Sequence, residues 1–281
     1  MITDEELIKV AFLLKEEEDE ELEVLITEME VLFVTMMIAY VLDVETVMED
    51  ILDWDYEDVS DIVNNILEKY PTKSPSNRVI KRHLRNRPFN NNLSDNVVPK
   101  LRQAYFDYYD EFNKHYSNEG AEFNYRSPHY KKIDKWLKNL PKTMKLSTDN
   151  QVTDLIRQSY EEGKGPKWLE SQLAKNRSFT RARARMTAIT ENMRMYSAAE
   201  FQSFLDNDFI VGKEWNHTHG IKEPREMHVQ ADGYIVLKEE PFIINGHECY
   251  YPRDPDLPPE ESINCHCFMR PTFVDEPLRS R

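Results

Sequence analysis

The sequence predicts an α+β protein, with a predominantly helical N-terminal half and a C-terminal module made of one long helix and a small antiparallel β-sheet. Three observations carry this. Glycine is scarce, at 7 of 281 residues, which disfavours a turn-rich barrel or sandwich. Apolar residues keep helical spacing through most of the first two hundred positions. After Asn207 the texture changes to short β-prone runs bounded by Gly, Asn or Pro.

Residues 1–70 read as an acidic helical arm. Thr3 to Glu6 fits a capping box, and Leu7, Val10, Leu14, Leu22, Leu25, Ile26 and Met29 continue with helical spacing. This arm holds 22 Asp and Glu against 3 Lys and Arg, whereas the other 211 residues carry a small excess of cations. Such a division suits docking on protein, or solubility alone. The most apolar run, Val31 to Leu42, has twelve residues. A bilayer needs about 20, so it is expected to be a buried core helix, and no membrane contact is expected. The acidic opening lacks the basic start of a secretory signal.

Residues 71–92 read as a basic linker, with Pro, Ser and Asn framing Arg78, Lys81, Arg82, Arg85 and Arg87. These cations suit salt-sensitive contact with phosphates, and equally pairing with the acidic arm. Residues 93–176 form a helical region. Leu93 to Ser117 is expected as one aromatic-rich helix, its Tyr and Phe residues packing in a core because cations are not interleaved with them. Helices follow at about 128–140, 148–162 and 165–175. Residues 177–281 form the C-terminal module. Its long helix, about 177–206, places Arg177, Arg181 and Arg185 on one face, to grip DNA or an acidic partner, or simply to face solvent. Strands are expected at Phe209–Trp215, Gly233–Leu237, Pro241–Ile244 and Cys265–Phe273, with a tight turn at Asn245-Gly246. Residues 251–262 read as a proline-fixed loop.

The motifs that carry chemistry lie in this module. In order they are Arg181-x-Arg183-Ala-Arg185, Thr190-Glu191, Lys213-x-Trp215, Arg225-x-x-His228, Asp232-Gly233, Phe242, Asn245-Gly246 and Asn264-Cys265-x-Cys267. Over roughly 150–273 this series resembles the phage Mu F-like minor head proteins, also called phage head morphogenesis proteins. The resemblance implies a minor structural protein of a bacteriophage head, acting in procapsid assembly near the portal and in DNA packaging or delivery. It implies a portal, capsid or scaffolding partner, contact with packaged DNA, and a location inside the virion head after assembly in the host cytoplasm. Members are not established enzymes, so no enzymatic activity is expected. Glu191, Lys213, Trp215, Arg225, His228, Asp232, Gly233, Asn264, Cys265 and Cys267 then serve as structural motif residues. The sequence departs from the family at Gly220 to Pro224, where an aspartate is frequent. It departs again at Ser262-Ile263, where a histidine is frequent, and at His266, which replaces a basic residue.

All three cysteines fall in this module, together with His217, His219, His228, His247 and His266. Three cysteines imply no disulfide framework and favour a reducing compartment. Cys249, Cys265, Cys267 and His228 would suit structural zinc, with Cys265 and Cys267 on one face of a strand. The alternative is that the cysteines act as small buried hydrophobes. Two other function classes stay open. One is a nuclease or toxin-like effector carried in the particle. It would use His228 as base and Arg225 on a phosphate, or a cysteine nucleophile oriented by Glu191, Glu223 or Asp232. The other is a zinc-stabilised interaction domain.

Overall fold

The computed structural model describes residues 31–118, 120–218 and 224–273. The helices expected before residue 31, His219, most of the Gly220–Pro224 departure (with Glu223) and the last eight residues lie outside the described residues. Helices and strands follow the expected order: α1 Val31–Lys69, α2 Asn77–Leu84, α3 Phe89–Asn96, α4 Val98–His115, α5 Pro128–Glu161, α6 Pro166–Ala174 and α7 Arg181–Asp206. The sequence then turns to β1 Ile210–Asn216, α8 Glu226–Gln230, β2 Tyr234–Leu237, β3 Phe242–Ile244, β4 His247–Cys249, α9 Pro259–Ser262 and β5 Phe268–Phe273. None of the described helices is long and apolar enough to cross a membrane.

The chain divides into two compact units. One comprises residues 1–42, 101–134 and 189–281, and the other 43–100 and 135–188. In the first, the apolar start of α1 is core, as its sequence predicts: Phe33, Val34, Met37, Ile38 and Val41 are buried. Phe33 stacks on Phe112 at 4.4 Å, and Phe112 meets Tyr196 edge-on at 4.9 Å. Tyr105, Tyr108 and Tyr109 are buried beside them. These aromatics fill a helical core and offer no open stacking platform for bases.

The second unit has its own apolar cluster, in which Val59, Val63 and Ile66 of α1 meet Ile80 and Leu84 of α2, Val152 and Ile156 of α5, and Leu169 and Leu173 of α6. The expected linker at 71–92 is therefore mostly helical. Ile80 and Leu84, four apart, give α2 one apolar face, which outweighs the nearby prolines. Pro75 precedes α2, and Pro88 is the N-cap residue of α3, so both interrupt the chain between helices. Two further boundaries differ from expectation. Leu93–Ser117 is split at Val97 into α3 and α4, with Pro99 in the first turn of α4, where no intrahelical N–H bond is lost. The helices expected at 128–140 and 148–162 are one helix of 34 residues that runs through Pro141.

The C-terminal sheet is antiparallel with order β2-β1-β5. Trp215 lies opposite Tyr234 on one side and Met269 on the other. Pro271 is tolerated because β5 is an edge strand. A separate hairpin pairs β3 with β4, turning at Asn245-Gly246, both with positive φ. Two expectations fail here. Residues 251–262 include the short helix α9, with Glu261 and Ser262 buried. Cys265 and Cys267 precede β5 instead of lying on it.

Candidate functional site

The motif residues from Thr190 onward meet in the first unit, around the irregular segment between β4 and β5. Three sheet strands of four to seven residues cannot hydrogen-bond so long a connection, and its carbonyls need other donors. Side chains supply them. Lys213 Nζ donates to Tyr250 O at 2.8 Å. Arg225 donates to Glu260 O and Ile263 O, both at 2.6 Å. Thr218 donates to His266 O at 2.5 Å. Arg253 donates to the carbonyls of Cys265 and Cys267, and at 2.6 Å to the Ser197 hydroxyl. Arg194, held by Glu191 at 3.1 Å, donates in turn to Arg253 O. The Asn264 N–H donates to Thr190 Oγ1 at 3.1 Å, joining the first motif to the last. His217 N–H donates to Asp232 Oδ1 at 2.8 Å, and Gly233 N–H to Trp215 O at 2.8 Å.

At the centre lie His228, Cys265 and Cys267, whose ligand atoms all fall within 4.8 Å of one another. His228 Nδ1 is 3.5 Å from Cys265 Sγ and 3.4 Å from Cys267 Sγ. Its other nitrogen, Nε2, lies 2.9 Å from Glu261 Oε2. His217 Nδ1 is 3.6 Å from Cys267 Sγ. Trp215 closes one side, its ring edge-on to His228 at 5.5 Å. All of these residues are buried. A hydrogen bond from Cys267 chiefly holds the Cys265 thiol well below its ordinary value, with His228 and the Arg253 guanidinium adding to the effect. Burial pushes Cys267 up, and the neighbouring Cys265 adds to that.

Three of the four expected ligands come together, and Cys249 does not join them within that radius. It sits opposite Phe242 in the separate hairpin, where burial pushes its thiol up. Glu261, Arg253 and the role of His217 were not legible from spacing. Glu261 lies in a stretch read as loop, and His217 was one histidine among several. Arg225 takes loop carbonyls and His228 a carboxylate, while Glu191 pairs with Arg194.

Residues 150–270 match the family described as Phage Mu protein F like protein. This segment is similar to the Mu F-like family. The chain is also 39% identical over 142 residues to the uncharacterized protein YqbB of Bacillus subtilis (strain 168), covering 50% of this chain and 47% of that protein. It thus spans about half the length of that curated relative. No solved structure matches. The Mu F-like segment contains every motif residue of the buried network, from Thr190 to Cys267.

The basic residues singled out from sequence separate into two groups. Arg78, Lys81, Arg82 and Arg85 are exposed on or just after α2, and Arg177 is exposed before α7. Arg87 is not available to phosphate. It is buried, with Nη1 2.6 Å from Asp55 Oδ1 and Nη2 paired with Asp149. Arg181 and Arg185 are engaged within the second unit. Arg181 pairs with Glu49 at 2.8 Å, and Arg185 with Glu45 at 3.2 Å. Arg181 and Arg185 therefore face carboxylates of α1, whereas Arg177 precedes the helix and does not share their face.

Proposed function

We propose that this chain is a minor structural component of a bacteriophage head, acting in head morphogenesis. The observation that carries the reading is the Mu F-like match over 150–270, whose motif residues from Thr190 to Cys267 join one hydrogen-bonded network around a buried centre. In this reading the segment is a rigid assembly unit that docks on portal, capsid or scaffolding protein inside the procapsid and remains in the virion. On this view its motif residues serve architecture and not turnover, because Lys213, Arg225 and His228 are engaged with carbonyls or a carboxylate and the central cluster is buried. The exposed cations Arg78, Lys81, Arg82 and Arg85 would meet packaged DNA, a salt-sensitive and sequence-blind contact. Mass spectrometry of purified heads, with and without DNA, tests the reading. The expected result is this chain in both, at a fixed ratio to portal protein. Its absence from both preparations sinks the proposal.

A further inference from the structure

We propose that His228, Cys265, Cys267 and His217 form a structural zinc site that clamps the end of the Mu F-like segment. The distances support this. Tetrahedral zinc with bonds of about 2.3 Å to sulfur and 2.0–2.1 Å to nitrogen separates a bound sulfur from a bound nitrogen by about 3.6 Å. The three sulfur–nitrogen separations here are 3.5, 3.4 and 3.6 Å. Nδ1 of His228 is nearly equidistant from the two sulfurs, as a shared apex requires. The fourth vertex falls to His217, which already meets Cys267 but lies outside the radius shared by the other three donors, so its side chain must turn to face them.

The surroundings are those of a metal-binding histidine. A ligating imidazole turns its second nitrogen to a carboxylate, which fixes the tautomer and the ring plane. Glu261 does this at Nε2 of His228, 2.9 Å away, from a buried position of its own. The backbone carrying the two thiols is held by Arg253 through the carbonyls of Cys265 and Cys267. Two thiolates and two neutral imidazoles give zinc a centre of zero net charge, which suits burial. Soft sulfur with imidazole selects zinc among the abundant divalent ions. The donors are shut off from solvent, so the site is structural and keeps no open position for a substrate. Cys249, the other thiol of the segment, is not a ligand in this assignment. The inference does not depend on a role in a phage head.

Elemental analysis of the full chain, purified without chelator, tag histidines or added metal, tests it. We expect about one zinc per chain. Sulfur and nitrogen neighbours in equal number should appear in zinc-edge X-ray absorption of the wild-type protein, a readout that needs no mutation. Cys265→Ser, Cys267→Ser and His228→Ala should each lose most of the metal, and His217→Ala should weaken its retention against a chelator by tenfold or more. Cys249→Ser should retain it fully. Cobalt replacement should give the strong visible bands of a tetrahedral thiolate site. Zinc below a tenth of an equivalent, with no uptake by thiol-reduced protein supplied with zinc, overturns the proposal. So does an absorption spectrum with three sulfur neighbours, or a disulfide between Cys265 and Cys267 in freshly purified protein.

Discussion

Replacing Arg87 by alanine tests whether a cation in a basic stretch serves the nucleic acid or the fold. Its guanidinium joins Asp55 of α1 and Asp149 of α5, and its side chain and that of Asp55 are each about 1% exposed. Lys145 would still cover Asp149, at 2.7 Å, and Leu84 O, at 2.8 Å. Asp55 would lose its hydrogen-bonded cation and keep only the weaker pull of Lys145 and Arg183. Stranding one member of a buried pair costs about 3–5 kcal/mol, which in a chain this long lowers the melting temperature by roughly 6–20 °C. The loss should depend on pH. Burial outweighs the pull of Arg87 and Lys145, so Asp55 sits at about 6 in the folded protein, above its ordinary 3.8. A raised carboxyl removes stability as pH climbs from the unfolded value through the folded one. In the variant that folded value moves higher still, so its deficit widens above pH 6 and narrows toward pH 5, where Asp55 is protonated in both proteins. Urea unfolding followed by circular dichroism at pH 5 and pH 8 measures this. Adding Asp55→Asn to Arg87→Ala should recover part of the loss. A deficit under about 1 kcal/mol at both pH values, together with weakened DNA binding, would refute the assignment of Arg87 to the core.

The exposed cations predict the opposite behaviour. Changing Arg78, Lys81, Arg82 and Arg85 together to alanine should leave stability within about 0.5 kcal/mol for each site and reduce the salt slope of DNA retardation by about 3–4; an unchanged slope removes DNA from the proposed role. Lys213 is held down to about 7 by burial, so the unfolded chain binds its proton more tightly, and stability should rise between pH 7 and 10. Lys213→Met should flatten that rise by up to about 4 kcal/mol, and parallel stability profiles for the two proteins would count against it. Arg253→Leu strips the donors from two buried carbonyls and should cost about 2–6 kcal/mol by urea unfolding; a neutral outcome would mean that water satisfies them.

Local pattern carried the elements well, and long-range partners not at all. The apolar run at Val31–Leu42, the aromatic core, the order of the strands and the Asn245-Gly246 turn follow from periodicity and turn chemistry within a few residues. Arg85 and Arg87, by contrast, look alike in sequence. One is exposed at the end of α2, and the other turns inward to carboxylates 32 and 62 residues away, a choice that neighbouring residues do not encode. The cysteine pair was legible as a pair and misread as part of a strand, because its backbone is shaped by Arg253 and Thr190 from elsewhere in the chain. Proline misled twice, as a breaker of α5, which continues through Pro141, and as a mark of linker around α2.

The same need for side-chain donors accounts for where the long polar side chains of this unit point. A short sheet leaves the segment from Tyr250 to Cys267 with more carbonyls than strand partners, and an unpaired buried carbonyl costs about 1–3 kcal/mol. Donors that reach such carbonyls from a helix or strand must be long, and those that serve two at once must be forked. Arginine meets both demands, and Arg253 and Arg225 each hold two carbonyls. Lys213 and Thr218 hold one apiece. An arginine three residues before a histidine, or a lysine two before a tryptophan, therefore recurs here as scaffolding for a loop. In this unit these cations point at the backbone.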